Sequence, residues 1–474
     1  MKKAFSIILS AAAVAFGATA CSEIEDGWTD IDSWEIPEPE LDYTIYEPKT
    51  YSFNHPCMLH TRADIDYTKA HLGQQPWSDA YTKLITNTGF CNVAYTASPV
   101  KYLARLDAAN WGGGGGRWDD AGLRDEYYPG IHNNYTNFFR DCAAAYQLGL
   151  KWQLDGDGQA AAAAIKILED WAAVNKGLLL GAPDAKKWAN DVIDSNEYLI
   201  MFQIHQAANA AELVRDYDGW GNSAGFKSVV DWMTTYFYPF CSRFIAMNNT
   251  DHWWMNWDLA SMTAILSIGI LSDNQDMVNE AILHFKHGEG PGCIMRKGVL
   301  GVFEDPDGSG EMLAQGNESG RDQGHNTLCA SMVGAFCQMA MGIGEDLFAF
   351  ENGRAIAFAQ YVAKYNVVIP EVGDSYETGS LSSTSFRYSE SSLPFNEYTY
   401  NGGIMTGISG AGRGTIRPGW DIWAGYCNSH NIPGKYVKEM AEQFRPDGGG
   451  GHYGSSSGGF DQLGFSTLMH YREN

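Results

Sequence analysis

The chain has 474 residues, of which 45% are hydrophobic and 19% are charged, so it is a globular protein large enough for two domains or for one large repetitive architecture. Its formal net charge of −25 at pH 7 argues against nucleic acid and anionic membrane surfaces as partners. A site for an acidic ligand must then be a local basic island, because charges beyond about 8–10 Å are screened at physiological salt.

The first residues have the features of a secretion signal. Two lysines precede an apolar run from residue 4 to about residue 18, and Cys21 follows in the context of a lipoprotein cleavage site. The apolar run is too short to span a membrane as a helix of the mature protein. We therefore predict a signal peptide over residues 1–20, a lipidated Cys21 and an acidic tether over residues 21–50. These features predict an exported lipoprotein of the outer membrane, on its periplasmic or cell-surface face.

The cysteine pattern indicates thiols instead of disulfides or metal ligands. The chain has 9 cysteines, and those other than Cys21 are scattered. Cys329 and Cys337 lie on one predicted helix with a rise of about 12 Å between them, which is too far for a disulfide. The sequence has no Cys-x-x-Cys or His-x-x-x-His spacing of the kind found in zinc sites. We expect mostly free, buried thiols and no metal.

The chain begins its fold with two short helices between residues 55 and 84, and Asp64 is a candidate cap of the first. Residues 107–135 have a different composition, with a run of five glycines that would let the backbone approach a ligand closely. The same stretch carries aromatic, basic and amide side chains suited to acidic sugars: Trp111, Arg117, Trp118, Asn133 and Asn134. A mobile surface loop with incidental aromatic residues is the alternative interpretation.

Helical periodicity dominates from residue 138 onward. Two helices joined by an Asp-Gly-Asp-Gly turn at residues 155–158 form a hairpin, and a turn is favoured there over a calcium loop. Further helices are predicted at about 190–215, 225–246, 257–271, 275–287, 326–342, 349–365, 419–430 and 434–444. Paired antiparallel helices over this length stack as a solenoid or close into a toroid, and the lack of a fixed-period repeat favours the toroid. The predicted fold is all-α, one toroid or incomplete barrel of helical hairpins over residues 51–474 with a loop-rich C-terminal closing section.

Three polar clusters interrupt the helices, at residues 133–135, 252–258 and 317–326. Each cluster directly precedes a predicted helix. Helix ends of the same kind gather around one mouth of a toroid, so we expect the three clusters to lie together there.

The motif Glu318-Ser-Gly-Arg321-Asp-Gln-Gly-His325, the segment Asn256-Trp257-Asp258 and the run from Tyr361 to Asn366 resemble the alginate lyase family of polysaccharide lyases. Shorter matches extend this resemblance from about residue 53 to the C-terminus. The resemblance implies an (α/α) toroid that cleaves a uronic-acid polysaccharide, alginate or a related polyuronate, by β-elimination without a cofactor.

The reaction implied by the resemblance explains the residue types. The proton on C5 of a uronate is very weakly acidic, so the neighbouring carboxylate must be neutralised before a base removes that proton. The resemblance assigns the neutralising role to Asn256, and a helix-capping asparagine is the alternative. Family members have a histidine directly after this asparagine, where this chain has Trp257. His325 is the predicted substitute, and His252 is a second candidate.

The remaining roles are assigned around this pair. Arg321 would grip the uronate carboxylate or lower the pKa of a tyrosine, with Glu318 and Asp322 orienting Arg321 and His325. Tyr135 is the preferred catalytic phenol, ahead of Tyr128 and Tyr453. The predicted catalytic residues are therefore Asn256, Arg321, His325 and Tyr135. The predicted substrate-binding residues are Trp111, Arg117, Trp118, Asn133, Asn134, His252, Trp253, Trp254, Glu318 and Gln323.

Two other classes of protein remain open at this point. A glycoside hydrolase on a similar toroid would use a pair of carboxylates, Glu318 with Asp322 or Asp258. A non-catalytic glycan-binding lipoprotein would retain the polysaccharide without cleaving it. In each case the partner is an acidic polysaccharide or oligosaccharide, and the membrane is contacted only through the N-terminal lipid.

Overall fold

A computed structural model of the chain describes residues 48–105, 133–179, 199–247, 253–369, 385–454 and 457–473. Within these ranges no helix is both long and apolar enough to cross a membrane. The eight cysteines in the described ranges are all buried, with free thiols.

Helices make up most of the described chain. Numbered in chain order, they are α1 Arg62–His71, α2 Trp77–Ile85, α3 Tyr135–Asp155, α4 Gly158–Val174, α5 Met201–Val214, α6 Ala224–Trp232, α7 Tyr238–Met247, α8 Met255–Leu271, α9 Gln275–His287, α10 Gln323–Gly342, α11 Phe350–Asn366, α12 Trp420–Ser429, α13 Lys435–Phe444 and α14 Ser466–His470. Met233–Phe237 forms a π-helical turn between α6 and α7. The predicted helices are thus present wherever the structure describes them, with bounds shifted by a few residues.

The helices close into a ring. Helix α3 contacts α5, α5 contacts α8, α8 contacts α10 and α10 contacts α12; α12 contacts α14, α14 contacts α1, and α1 returns to α3. A second layer packs on this circuit, with α4 against α3, α7 and α9 against α8, α11 against α10, and α13 against α12. The predicted all-α toroid of helical hairpins is therefore confirmed.

The α3–α4 hairpin shows how the sequence sets one such pair. Gly156 ends α3 with a positive φ of 78°, which glycine adopts without strain. Asp157 then caps α4, because its side chain accepts hydrogen bonds from the backbone N–H groups of Gln159 and Ala160. The interpretation of this segment as a turn is confirmed.

Helix α8 is the central helix of the fold. Every residue of α8 except Trp257 is buried, and α8 contacts α5, α7, α9 and α10. A helix that is apolar on all sides is stable only inside a core. The first turn of α8 is therefore held by the surrounding helices, and this turn carries Asn256.

Two β-hairpins were not predicted. Strand β1 (Val299–Glu304) pairs antiparallel with β2 (Met312–Gly316), and β3 (Tyr398–Tyr400) pairs with β4 (Gly403–Met405). Strand β2 packs against α11 and ends immediately before the 317–326 cluster. The hairpins therefore position the polar segment that the helical pattern alone left as a loop.

The predicted capping role of Asp64 is corrected by the structure. Thr61 is the N-cap of α1, and its side chain accepts a hydrogen bond from the backbone N–H of Asp64. The carboxylate of Asp64 in turn accepts a hydrogen bond from the backbone N–H of Thr61. Asp64 is thus the third helical residue of a capping box. The sequence pattern located the helix start but assigned the cap three residues too late.

Lys364 on α11 is fully buried in an ion-pair network. Its Nζ lies 2.6 Å from Oδ1 of Asp305 and 2.8 Å from Oδ2 of Asp307, and it donates to the carbonyl of Ser392 at 2.9 Å. Tyr436 donates to the other oxygen of Asp305. The turn between β1 and β2 is thereby fastened to α11 and α13.

We predict that Lys364→Met lowers the free energy of unfolding by about 3–5 kcal/mol, because it leaves the buried carboxylate of Asp305 without its cation. Lys166→Met is the matched control, since Lys166 is 73% exposed and pairs with Asp170 on the surface of α4. The control should change stability by less than about 1 kcal/mol. Urea unfolding of both variants checks this, and equal losses would contradict it.

His55 joins the N-terminal segment to two helix ends. Its Nδ1 lies 2.7 Å from Oε1 of Glu212, and its Nε2 lies 2.7 Å from Oδ1 of Asp273. Burial opposes the charge on the ring, but its bonds to Cys57, Glu212 and Asp273 outweigh burial and raise the pKa of His55 to about 10. His55 is therefore a cation at neutral pH.

This raised pKa predicts a pH-dependent contribution to stability. The contribution of His55 should be fully present below about pH 6.5, the pKa of an unfolded histidine, and should be lost as the pH rises through about 10. The gap in unfolding free energy between wild type and His55→Gln should therefore be largest at mildly acidic pH and shrink by about 1–3 kcal/mol at alkaline pH. Urea unfolding across this range measures the gap, and a gap that widens with pH would contradict the assignment.

Candidate active site

The three polar clusters all precede helices, as predicted. Asn134 is the N-cap residue of α3, Trp254 precedes α8, and Asp322 caps α10. The second and third clusters are in direct contact through Asn256 and Glu318.

A buried carboxylate joins the second cluster to the third. Glu318 is fully buried, and its Oε1 accepts a hydrogen bond from the backbone N–H of Asn256 at 3.4 Å. Its Oε2 accepts a bond from Nη1 of Arg321 at 3.2 Å. Since the free N–H groups at a helix N-terminus favour anions, Glu318 is stabilised by both α8 and the guanidinium. Arg321 is thereby fixed close to Asn256.

The side chain of Asn256 has unused hydrogen-bonding capacity. Asn256 is 2% exposed, and its Oδ1 is buried without a hydrogen-bond partner among the described residues. Trp254 occupies the N-cap position, and α8 has no side-chain cap bond, so Asn256 is not the helix cap considered as the alternative. A half-turn of the amide about the Cβ–Cγ bond would place Nδ2 where Oδ1 lies. A buried amide in this state is ready to bind a ligand group.

Aromatic residues flank Arg321. The guanidinium lies over the ring of Trp254, 4.9 Å from the ring centroid, and the Trp254 ring is 4.6 Å from that of Tyr400. Tyr400, on β3, donates from its hydroxyl to the carbonyl of Trp253 at 2.5 Å. The Arg321 side chain is 26% exposed. Its contacts with Glu318 and Trp254 therefore orient the guanidinium and leave part of the side chain accessible.

Asp322 and His325 form a second pair beside the first. Oδ1 of Asp322 accepts from the backbone N–H of His325 at 2.9 Å, and Oδ2 lies 2.6 Å from Nδ1 of the imidazole. Burial favours the neutral acid, but the bonds and charge of His325 prevail and lower the pKa of Asp322. The carboxylate thus caps α10 and fixes the imidazole, as the sequence predicted for an orienting residue.

The side chain of Gln323 makes its hydrogen bonds with other protein groups. It is fully buried, and its Nε2 donates to the carbonyls of Ser319 and Ser409. Its Oε1 accepts from the side chains of Asn326 and Asn366. All four hydrogen-bonding positions of the amide are therefore occupied by protein groups, and Gln323 ties α10 to α11.

Tyr135 packs against an arginine. The guanidinium of Arg105 lies over the Tyr135 ring, 4.6 Å from its centroid. Asp461 accepts from Nη1 of Arg417 at 3.4 Å. Burial raises the pKa of Asp461, against the opposing charges of Arg417, Arg105 and His325.

Arg105 and Arg417 were not identified from the sequence. Neither lies in one of the three polar clusters, and only the fold brings them close to Asp461. Arg321 is the guanidinium that the structure places beside the second and third clusters.

Other predicted residues have structural contacts. Asn134 accepts from the backbone N–H of Ala104 at 2.8 Å and donates to the carbonyl of Tyr102 at 3.0 Å, so its amide holds the preceding segment. Asn133 is partly buried next to it. Trp253 is 7% exposed and packs on Phe244.

The structure also brings an unpredicted tyrosine to the third cluster. Tyr398, on β3, donates from its hydroxyl to the carbonyl of Asn317 at 2.5 Å and accepts from the backbone N–H of Gly320 at 3.1 Å. Burial, with the charge of Glu318, raises the pKa of Tyr398 to about 12. Tyr398 is therefore a neutral phenol that shapes the loop before Arg321. The alternative candidate Tyr453 accepts from the backbone N–H of Gly448.

Several predicted positions lie outside the described residues. These are Cys21, Trp111, Arg117, Trp118, Tyr128 and His252.

The carboxylates required by the hydrolase alternative are engaged elsewhere. Glu318 and Asp258 are fully buried; Glu318 binds Arg321, and Asp258 binds His284. Asp322 is held by His325. A hydrolase needs one carboxyl group as acid and another facing water or the sugar, and this geometry does not supply that pair.

Comparison with known proteins identifies the family and the fold. The family model described as alginate lyase matches residues 124–365, just over half of the chain, and this range includes Asn256, Arg321 and His325. No curated protein matches the chain. An alginate lyase from Bacteroides ovatus is similar in structure at a TM-score of 0.50 and 12% identity, over 88% of this chain and 100% of that one. Alginate lyase A1-III from Sphingomonas species A1 gives a TM-score of 0.43 and 15% identity, over 66% of this chain and 78% of that one.

Proposed function

This chain belongs to the alginate lyase family of polysaccharide lyases, and we propose that it cleaves alginate or a related polyuronate by β-elimination at the mouth formed around Asn256, Arg321 and His325. The observation that carries the proposal is the buried side chain of Asn256, whose Oδ1 has no partner among the described residues, beside the Glu318–Arg321 pair and within the segment that matches the family.

Asn256 and Arg321 suit the first requirement of the reaction, which is neutralisation of the uronate carboxylate. A carboxylate that accepts hydrogen bonds from an amide and a guanidinium withdraws charge from C5, and in a cleft shielded from water these bonds are stronger than in solution. Glu318 keeps the guanidinium in position before substrate arrives, so little reorganisation accompanies binding.

His325 suits the proton transfer. Nδ1 of His325 bonds to the carboxylate of Asp322, which orients the imidazole and assigns proton transfer to the other ring nitrogen. Nε2 is thus the atom that would take the C5 proton. Tyr135, the phenol preferred from the sequence, would donate the proton to the leaving glycosidic oxygen.

We further propose that the enzyme is exported and anchored at the outer membrane through lipid on Cys21. The support is the signal-like N-terminus, with its apolar run and the cysteine at the cleavage position. An anchored lyase would act on polysaccharide at the periplasmic or cell-surface face.

The direct test incubates the purified chain with a panel of polyuronates and follows both ultraviolet absorbance and reducing ends. A lyase forms a conjugated double bond at each cut, so both signals should rise together. New reducing ends without absorbance would instead identify a hydrolase, and retention of polysaccharide without either signal would identify a binding protein.

We predict that Asn256→Ala lowers kcat/KM by about 10²–10³-fold, because it removes a neutralising hydrogen bond from the transition state. Asn274→Ala is a matched control at the start of the next helix, where Asn274 caps α9 through the backbone N–H groups of Asp276 and Met277. The control should lose about 1 kcal/mol of stability and keep its rate. If the Asn256→Ala enzyme turned over at the wild-type rate, the neutralising role would be refuted.

Removal of Arg321 should affect stability and activity separately. Arg321→Ala leaves Glu318 buried without its cation and should lose about 3 kcal/mol of stability together with about 10²-fold in kcat/KM. The double variant Glu318→Gln/Arg321→Ala removes both charges, so its stability should largely recover while its activity stays low. Urea unfolding and initial rates measure the two effects. Activity that returned with stability would mean that Arg321 only supports the fold.

A further inference from the structure

A second cluster of reactive side chains lies at the start of α8, two residues from Asn256. Asp258 comes from the first turn of α8, His284 from the last turn of α9 and Cys293 from the loop that follows. All three residues are at most 2% exposed. The β-elimination proposed above uses none of them.

The three side chains converge on one point. Nε2 of His284 lies 3.1 Å from each carboxylate oxygen of Asp258, and Sγ of Cys293 lies 3.9 Å from Oδ2. One potential ligand atom from each residue lies within 4.8 Å of the other two. Ligands of a tetrahedral zinc ion, bound at about 2.0–2.3 Å, have separations of this size.

Glycines line the cluster. A Cβ on Gly290 would lie 2.3 Å from Oδ2 of Asp258, and one on Gly288 would lie 2.6 Å from Nδ1 of His284 and 2.8 Å from Sγ of Cys293. Gly292 donates its backbone N–H to Oδ2 of Asp258 at 2.8 Å. The loop can therefore wrap the three side chains this tightly only with glycine at these positions.

Nε2 of His284 is the ring nitrogen that faces the carboxylate, so it is the atom that a shared ion would bind. Nδ1 of His284 is buried and has no hydrogen-bond partner in the part of the chain that the structure describes, so the ring can carry its proton there when a metal occupies Nε2.

We propose that Asp258, His284 and Cys293 form a structural zinc site. Carboxylate, imidazole and thiolate are the ligand types that zinc takes, and the sulfur argues against calcium and magnesium. One carboxylate and one thiolate also balance the charge of a dication, so the occupied site is neutral within the core. Full burial is expected of a structural site, with the fourth position taken by water or a backbone carbonyl.

A similar group near the N-terminal segment serves as a contrast. His55, Cys57 and Glu212 also lie close together, but both ring nitrogens of His55 bond to carboxylates. The guanidinium of Arg215 lies 3.8 Å from Oε2 of Glu212. Because carboxylates occupy both ring nitrogens of His55 and Arg215 lies beside Glu212, that group leaves no imidazole nitrogen for a metal, and it provides a matched negative control.

The zinc would fasten the start of α8. Asp258 lies two residues after Asn256, and the other two ligands belong to α9 and its following loop. A metal that links these three elements would hold the first turn of α8 through Asp258, while Glu318 holds it through the backbone N–H of Asn256. Its role is to position and stabilise, so the lyase proposal does not depend on it.

No local sequence motif marks this site, because its ligands are far apart in the chain. His284 and Cys293 lie 26 and 35 residues after Asp258, whereas the common zinc motifs place pairs of ligands within a few residues of each other.

The test measures zinc by mass spectrometry in tag-free, full-length protein purified without added metal. Wild type and Cys57→Ser should each carry about one zinc per chain, and Cys293→Ser less than about a tenth of that. Wild-type protein without zinc would overturn the proposal and identify the cluster as a metal-free ion pair. Full zinc content in Cys293→Ser would overturn the assignment of its ligands.

Refolding of the wild type keeps the proposal testable if Cys293→Ser does not fold. Protein unfolded and freed of metal by a chelator should refold with Co²⁺ to give thiolate-to-cobalt charge-transfer absorbance, and with chelator alone should recover a lower unfolding temperature. Cys57→Ser should give the same cobalt spectrum as wild type. Equal stability with and without metal, and no cobalt absorbance, would overturn the site.

Discussion

The buried carboxylate of Glu318 is the interaction on which the mouth of this toroid depends. Burying a carboxylate costs several kcal/mol unless partners compensate it, and here the partners are the first turn of α8 and the guanidinium of Arg321. Glu318 therefore ties together two segments that are about 60 residues apart in sequence. The relative position of Asn256 and Arg321 follows from this one ion.

The ring of helices explains why such an arrangement is rigid. Helix α8 is buried on nearly all sides, so its N-terminal turn cannot shift without disturbing α5, α7, α9 and α10. Residues at the N-terminal ends of α8 and α10 supply the polar groups of the mouth, which are the amide of Asn256, the guanidinium of Arg321 and the imidazole of His325. In a strongly acidic chain the positive charge for an acidic ligand must be local, and Arg321 supplies it close to Asn256.

Much of the fold could be predicted from the sequence, because helical periodicity is local. The α3–α4 turn and the helix starts at Asn134 and Asp322 follow from residues within one or two turns of each other. The β-hairpins were missed because β3 and β4 have three residues each and β1–β2 lies between helices. Within the site, the clusters around Asn256 and Arg321 were recognisable, but Arg105, Arg417 and Tyr398 carry no local signal. Only tertiary packing brings Arg105 and Arg417 to Asp461 and brings Tyr398 to the third cluster.

The central claim is that Asn256 and Arg321 together receive the uronate carboxylate. A crystal structure of the His325→Ala variant with a bound oligouronate tests it most directly. The account predicts one uronate carboxylate within about 2.7–3.2 Å of both the Asn256 amide and the Arg321 guanidinium, with C5 of that sugar facing the vacated imidazole position. A carboxylate bound elsewhere, with the Asn256 amide still unpaired, would contradict it.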